Sequence, residues 1–292
     1  MKNIVIYGPT AVGKSDIAVM LAKKLNAEII SCDSMQIYTD LNIGSAKITE
    51  QEMQGIAHHM LNIKSSNSSY SVFEYVSDCK KCIQDIKNRN KNVIIVGGTG
   101  LYIKALTEDY NYGNAKLDTT LREKLENYST QELIEILNQK GEQVKQDDIN
   151  NKPRLIRQLE ILEYGKQKTK KENKDYLIFG LYSDRQLLYD RINKRVDKMM
   201  SQGVIEETKQ IYSKYGEQNQ CFKAIGYKEL LPYIKGEDTL EHCIELIKQH
   251  SRNYAKRQIT FFNQFASIKK IEVTNIEQAY QQILSQIEEQ ND

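Results

Sequence analysis

The chain has 292 residues, 40% of them hydrophobic and 27% charged, with a formal net charge of +2. This length and composition suit a folded protein with one large domain or two modest ones around a real core. The near-neutral charge excludes a global attraction to nucleic acid, so such a partner would have to meet local basic patches. No apolar run approaches the length of a membrane span, and we expect a cytoplasmic protein with no signal peptide and no membrane partner.

The first motif is GPTAVGKS at residues 8–15, between an apolar strand pattern and a helical pattern. Its spacing fits G-x-x-x-x-G-K-[ST] in the strand–loop–helix context of a P-loop. Inward-pointing N–H groups and the positive end of the following helix would form a concavity for phosphate oxygens. Lys14 can reach an outer phosphate, and the Ser15 hydroxyl suits Mg²⁺. The motif predicts a di- or triphosphate site without indicating which group is transferred.

Two further strand patterns end in polar or glycine-rich turns. The strand pattern 27–32 ends at Asp33, and a carboxylate at this edge of a parallel sheet would lie beside the phosphate loop. On spacing alone, Asp33 is equally plausible as a helix cap or as a magnesium ligand. The apolar strand 93–96 leads into the turn 97–100, whose glycines indicate close approach of the backbone to a ligand.

The composition changes near residue 110, where Lys, Glu, Gln and Asn become dominant. Helical patterns cover residues 117–128, 131–140 and 152–164. We therefore predict an α/β fold, a P-loop NTPase-like parallel sheet flanked by helices, formed by residues 1–110 and 175–292. Residues 111–174 would be an inserted helical domain. Arg154 and Arg157 lie near a helix start, where positive charge opposes the helix dipole, so they should serve a ligand or a distant carboxylate.

Basic residues are concentrated on two helical patterns of the C-terminal half. Asp184 is predicted to cap a helix that runs to Gln202, on which Arg191 and Arg195 share a face. Residues 246–270 contain six Lys or Arg and no acidic residue, and Lys248, Arg252 and Lys256 recur at intervals of four, with Arg257 beside them. A single-sign stripe of this kind favours contact with phosphodiesters over an ordinary solvated face.

The order of motifs resembles one family strongly. GPTAVGKS, DSMQIY, an HH pair, GGTGLYIKAL, PRLIRQLE, RINKRVDKMM, AIGYKEL and YAKRQIT follow one another between residue 3 and about residue 265. This set resembles the bacterial tRNA dimethylallyltransferases. Two positions depart from the family pattern, Ala57 where a proline is usual and Phe261 where a tryptophan is usual, and either change could alter packing.

The resemblance implies transfer of a dimethylallyl group from dimethylallyl diphosphate to the exocyclic amine of the adenosine 3′-adjacent to the anticodon. It assigns Asp33 as the general base, Thr10 as a hydroxyl near diphosphate and amine, and Arg195 as the catalytic arginine, with Arg191 as the alternative. The implied diphosphate site comprises Gly8, Pro9, Thr10, Ala11, Val12, Gly13, Lys14, Ser15, Arg191 and Arg195. Mg²⁺ is the implied cofactor, with Ser15 as its protein ligand.

The resemblance also implies that the target base flips out of its stack into the cleft. The expected partner is the tRNA anticodon stem-loop, contacted in part by the helical insertion, and a monomer is expected. The implied tRNA contacts are Asp33, Ser34, Met35, Gln36, Thr99, Arg122, Pro153, Arg154, Leu155, Ile156, Arg157, Arg252, Lys256 and Arg257.

Three other functions remain open on the sequence. A P-loop small-molecule kinase would also have GPTAVGKS and a carboxylate after the second strand, and it predicts nucleotide turnover. A non-catalytic RNA-binding P-loop protein leaves Asp33 unexplained. A free-adenylate isopentenyltransferase shares the chemistry but has no need of a basic C-terminal helix.

Overall fold

The computed structural model describes residues 2–108, 119–164, 174–265 and 267–290. The chain divides into two compact units: a sheet unit, Met1–Thr107 with Asn173–Asp292, and a helical unit, Glu108–Glu172. None of the helices in the described ranges is long and apolar enough to cross a membrane.

The sheet unit is built on six parallel strands in the order β3-β2-β4-β1-β5-β6. The strands are β1 (Asn3–Tyr7), β2 (Ala27–Cys32), β3 (His58–His59), β4 (Asn92–Gly97), β5 (Tyr176–Tyr182) and β6 (Lys269–Glu272). Every residue of β1 and β2 is buried. This explains why these strands appear in the sequence as apolar runs and not as alternating patterns.

Helices cover the sheet and form the second unit. In the sheet unit they are α1 (Lys14–Lys24), α2 (Glu50–Met53), α3 (Val72–Asn88), α4 (Gly100–Thr107), α8 (Arg185–Ser201), α9 (Val204–Tyr215), α10 (Tyr227–Lys235), α11 (Leu240–Phe262) and α12 (Ile276–Glu288). In the helical unit they are α5 (Thr119–Glu126), α6 (Thr130–Gln139) and α7 (Lys152–Tyr164). The predicted α/β fold with a parallel sheet flanked by helices is confirmed.

The strand register brings three loops to one edge of the sheet. Tyr7 and Cys32 both pair with Gly97, so β1, β2 and β4 end at the same level. The P-loop, Asp33 and the 97–100 turn therefore emerge side by side, at the carboxyl edge where open α/β sheets bind ligands.

Several predicted boundaries agree with the structure, and helices α2, α4 and α9 were missed. Asp184 accepts a hydrogen bond from the Leu187 N–H at 3.0 Å, which confirms it as the N-cap of α8. The chain turns at Gly203, with φ at 96°, as predicted for a helix stop. A new helix, α9, starts directly after it, because the same left-handed glycine also serves as the N-cap position. The pattern gave no separate prediction for that helix.

The helical unit has its own small core. Leucines of α5, α6 and α7 form one cluster with no exposed member, built from Leu125, Leu133, Leu137, Leu155 and Leu159. At the start of α6, Ser129 and Glu132 form a reciprocal capping box. The three predicted helices are thus held together by their apolar faces.

Candidate active site

The P-loop takes the conformation that its glycines permit. Gly13 has φ at +100°, and a Cβ atom there would lie 2.3 Å from Cδ1 of Ile276. A side chain there would displace the end of Ile276, and the left-handed φ strains any residue with a Cβ, so this curl into α1 favours glycine. Lys14 and Ser15 follow at the first turn of α1, where backbone N–H groups and the helix dipole favour an anion.

Lys14 and Arg195 place two positive charges beside this loop. Lys14 Nζ donates to the Pro9 carbonyl at 2.6 Å, and loss of solvent, followed by repulsion from Arg195, lowers the pKa of Lys14 to about 7. The Arg195 guanidinium donates from Nη1 to Thr10 Oγ1 at 3.2 Å and from Nη2 to the Ala46 carbonyl at 3.3 Å. Burial also lowers the pKa of Arg195. Two desolvated cations that repel each other form a site that an anion would stabilise.

Asp33 lies at the end of β2 in a tight turn. Its Oδ1 accepts the Met35 N–H at 2.9 Å, and within the described ranges no donor contacts its Oδ2. Thr99 closes this corner, because its Oγ1 accepts the Ser34 N–H at 3.0 Å while its own N–H donates to the Cys32 carbonyl. Of the readings left open by the sequence, a helix cap is excluded, since no helix starts there.

Gln258 of α11 ties the P-loop to the second glycine turn, and sequence reasoning missed it. Its Oε1 accepts the Thr10 N–H at 2.9 Å, and its Nε2 donates to the Gly98 carbonyl at 2.9 Å. A Cβ atom on Gly98 would lie 2.2 Å from that Nε2, so the glycine is what allows the amide to approach. The available signal was a polar residue within the YAKRQIT motif at a buried helical position.

These groups surround a cavity of about 330 Å³ in the sheet unit. Its polar lining includes the predicted residues Thr10, Lys14, Ser15, Asp33, Ser34, Gln36, Arg195 and Arg257. Its apolar lining includes Ile48, Ile192, Val196, Met199, Ile225 and Ile247. Tyr254 also lines it. Burial, followed by the negative charge of Asp33, raises the pKa of Tyr254 above its usual range, so the phenol stays neutral.

A second cavity of about 700 Å³ lies against the same loop. Both cavities are lined by Lys14, Ser15, Ala46, Ile48, Arg195 and Met199. Arg191 lines only the second one, together with Lys47 and Lys198. Arg195 therefore borders both spaces and contacts the loop hydroxyl, whereas Arg191 is confined to the outer one.

The predicted basic stripe on α11 is not a single surface. Lys248 pairs with Asp197 of α8 at 2.9 Å and with Glu245 at 3.4 Å, so its inclusion was wrong. The segment lacks carboxylates, but the helix packed beside it supplies one. Arg252 donates to the neutral Asn193 Oδ1 at 2.7 Å, and Lys256 is exposed.

Arg257 differs from the other basic residues of the predicted stripe because it lines the cavity. Its guanidinium carbon lies 5.6 Å from the centre of the Tyr254 ring. No carboxylate among the described residues pairs with the guanidinium. Its positive charge therefore lies unneutralised at the border of the 330 Å³ cavity.

In the helical unit, the predicted tRNA-contacting residues fall into two groups. Arg122 and Arg157 each donate to the buried carboxylate of Glu160 at 3.1 Å, and Arg154 donates to Asp148 at 2.6 Å. Arg154 and Arg157 therefore pair with carboxylates that lie six and three residues away in the chain, and not with the distant carboxylate that was the alternative to a ligand. Pro153 is exposed.

Leu155 and Ile156 require a correction. They are 0% and 2% exposed because they form the core of the helical unit, so their side chains are not available to an RNA.

Of the two family departures, Phe261 has a defined packing environment. Phe261 lies against Gly100, where a Cβ atom would come within 2.3 Å of the ring, and Lys104 Nζ lies 5.8 Å from the ring centre. Ala57 precedes the histidine pair, whose members have different partners. His59 Nε2 pairs with Glu28 at 2.6 Å, and His58 Nδ1 lies 2.8 Å from the Ile56 carbonyl.

Comparison with known proteins identifies the family. The model of the family described as IPP transferase matches residues 36–265. A tRNA dimethylallyltransferase of Streptococcus pyogenes serotype M6 is 43% identical over 94% of this chain and 92% of its own length. One of Anoxybacillus flavithermus is 44% identical over 98% and 96%.

Solved structures agree with the sequence relatives. The full-length tRNA isopentenylpyrophosphate transferase of Bacillus halodurans has a TM-score of 0.76 and 38% identity, over 99% of this chain and 98% of that one. A eukaryotic dimethylallyltransferase crystallised acting on tRNA has a TM-score of 0.80 and 32% identity, over 95% of this chain and 75% of that one. The predicted resemblance is confirmed, and the chain belongs to the IPP transferase family of tRNA dimethylallyltransferases.

Proposed function

We propose that this chain transfers the dimethylallyl group of dimethylallyl diphosphate to the exocyclic amine of the adenosine 3′-adjacent to a tRNA anticodon. The observation that carries the proposal is one cavity bordered by an anion site, Lys14 with Arg195, and by a carboxylate, Asp33. The relatives and structural neighbours support a prenyl transferase over the kinase and the free-adenylate enzyme.

The diphosphate is the leaving group in this reaction. Breaking the allylic C–O bond leaves positive charge on carbon and adds negative charge to the diphosphate oxygens. Lys14, Arg195 and the free N–H groups of the P-loop would stabilise that growing charge without reorganising. The Thr10 N–H is already bound by Gln258, so the diphosphate must use the other loop amides.

The adenine amine is a weak nucleophile because its lone pair is delocalised into the ring. Asp33, as general base, would accept the amine proton as the new C–N bond forms. The Thr10 Oγ1 accepts from Arg195, which leaves its hydroxyl proton to donate to a diphosphate oxygen. The products are the N-substituted adenosine, the free diphosphate and the proton on Asp33.

A divalent ion, proposed as Mg²⁺, fits the donors of the site. The Ser15 hydroxyl lines the cavity and offers an oxygen ligand of the kind that Mg²⁺ prefers. The described residues contain no group of three or more His, Cys, Asp or Glu arranged to hold a metal. Ser15 would therefore hold the ion jointly with diphosphate oxygens, and the bound ion would neutralise charge on the leaving group.

Two substrates must reach one reaction centre. The cavity bordered by residues 33–36 suits a flipped adenosine, and the outer cavity with Arg191 and Lys198 suits the diphosphate. Both share the P-loop lysine, which supports entry of the two substrates from different sides. The apolar residues Ile192, Val196 and Met199 would contact the dimethylallyl carbons.

We extend the proposal to the partner and its surroundings. The tRNA anticodon stem-loop would contact residues 33–36, Thr99, Arg252, Lys256 and Arg257. The exposed arginines of the helical unit would add contacts if their carboxylate pairs open. A monomer in the cytoplasm is the state we expect for the enzyme.

The test uses purified enzyme, an unmodified anticodon stem-loop and dimethylallyl diphosphate labelled in its alkyl group, with Mg²⁺. Label should appear in the RNA, and Lys14→Ala or Ser15→Ala should impair use of the diphosphate while leaving RNA affinity intact. ATP with small acceptors serves as the parallel arm. Phosphate transfer there, without label in the RNA, would establish the kinase alternative.

A further inference from the structure

The carboxylate of Glu207, on α9, is the centre of a hydrogen-bond cluster outside the groups described so far. Its oxygens accept from three successive backbone N–H groups, those of Asn42, Ile43 and Gly44, each at 3.0 Å. The Tyr227 hydroxyl donates to Oε1 at 2.7 Å. Successive N–H groups form a small anion-binding concavity, and here the anion is a side chain of the same protein.

The segment that Glu207 holds, residues 42–47, forms one wall of the candidate active site. Gly44, Ser45 and Ala46 line the 330 Å³ cavity. The Ala46 carbonyl accepts from Arg195 Nη2 at 3.3 Å. The other arm of that guanidinium contacts Thr10, so the Ala46 carbonyl is one of the two acceptors that orient Arg195 beside the P-loop.

Packing around the segment is consistent with a fixed position. A Cβ atom on Gly44 would lie 2.5 Å from the Tyr227 ring, so glycine is what lets the tyrosine reach Glu207. At the other end, Lys47 Nζ donates to the Tyr38 carbonyl at 2.6 Å and to Asn42 Oδ1 at 2.9 Å. Burial lowers the pKa of Lys47 to about 8, although the Glu207 charge opposes that shift.

We propose that Glu207 is a positioning residue for the transfer reaction, acting through the 42–47 segment on Arg195. It does not line the 330 Å³ cavity and so has no direct contact with the reacting atoms. Charge-assisted bonds to three N–H groups are strong, and removing their acceptor leaves those donors without a partner. The Ala46 carbonyl would then shift, and Arg195 would lose its second anchor.

This inference rests on the proposed function, and its test separates the two. The variants are Glu207→Ala and the milder Glu207→Gln. The glutamine amide oxygen can still accept some of the backbone N–H groups, while its NH₂ group, itself a donor, would face the remaining donors. Glu206→Ala is the matched control, because that neighbouring carboxylate is exposed and pairs only with Lys209 at 2.8 Å among the described residues. Single-turnover transfer is measured at saturating substrates on samples verified as folded by circular dichroism.

We expect Glu207→Ala to lower the single-turnover rate by about 10²-fold, as a displacement of roughly 1 Å can do. Glu207→Gln should lie between it and the wild type, tRNA affinity should stay within a few fold, and Glu206→Ala should match the wild type. In an Arg195→Ala background, Glu207→Ala should lower the single-turnover rate little further, because both changes act through the Arg195 guanidinium. A purely structural role would give additive losses instead.

Binding of inorganic pyrophosphate gives a second measurement that does not need transfer. Weaker binding by Glu207→Ala and Glu207→Gln than by Glu206→Ala would support the positioning role even if no RNA were modified. Absence of transfer by the wild type would reject the proposed function alone. Unchanged pyrophosphate affinity together with an unchanged transfer rate, or additive losses with Arg195→Ala, would overturn the positioning role.

Discussion

At the scale of single residues, the protonation of Lys14 has the clearest measurable consequence. The folded protein lowers the Lys14 pKa from 10.5 to about 7 through burial and repulsion by Arg195. The ligand-free protein therefore keeps this charge below pH 7 and loses it above. Between pH 7 and 10.5 the unfolded chain binds more protons, so this group makes the empty protein more stable as pH rises.

We predict that binding of a diphosphate restores the positive charge of Lys14, because the lysine takes up a proton when the anion binds. Near pH 8, binding of dimethylallyl diphosphate should consume close to one proton more in the wild type than in Lys14→Arg, whose guanidinium stays charged. Affinity should fall by up to about tenfold per pH unit above 7. Calorimetry in buffers of different ionisation enthalpy measures the difference, and equal proton uptake by the two proteins would contradict it.

Asp33 supplies the second prediction at this scale. Asp33→Asn keeps an oxygen that can accept the Met35 N–H, so the turn at the end of β2 should survive. The general base is lost, and single-turnover transfer should fall by about 10²–10⁴-fold with tRNA affinity within a few fold. A near-normal rate would remove the role we assign to this carboxylate.

At the scale of elements, features set by neighbours in the chain could be predicted from the sequence, and contacts between distant helices could not. The P-loop, the strand ends and the Asp184 cap follow from neighbours in the chain, and they were predicted. Gln258 and Glu207 were missed because their partners lie 248 and 165 residues away. Lys248 was misjudged partly for the same reason, since its nearer carboxylate, Asp197, belongs to α8, while its other partner, Glu245, lies just before the segment considered.

The correction on α11 gives a prediction with an internal control. Lys256 is exposed, and Lys248 is already paired with Asp197. Lys256→Ala should weaken tRNA binding and reduce the slope of log affinity against log salt by about 0.7–0.9, as for one lost phosphate contact. Lys248→Ala should leave the slope unchanged. Equal slopes for Lys256→Ala and the wild type would show that Lys256 does not contact an RNA phosphate and is an ordinary solvated residue.

At the scale of the whole molecule, the near-neutral charge of +2 leaves recognition to local groups. The fold assigns them to one edge of the sheet, where three strands end at one level and bring the P-loop, Asp33 and Thr99 together. In the helical unit, Arg122 and Arg157 share Glu160, so an RNA phosphate there would compete with that carboxylate for the two guanidinium groups. Transfer to an anticodon-loop adenosine is the central claim that follows.

The most direct measurement is mass spectrometry of nucleosides from a tRNA incubated with the enzyme, dimethylallyl diphosphate and Mg²⁺. We predict that one adenosine, on the 3′ side of the anticodon, gains a dimethylallyl group in place of one amine hydrogen. A tRNA with guanosine at that position should remain unmodified. Unmodified tRNA alongside a prenylated free adenylate, or alongside a phosphorylated small molecule formed with ATP, would contradict the claim.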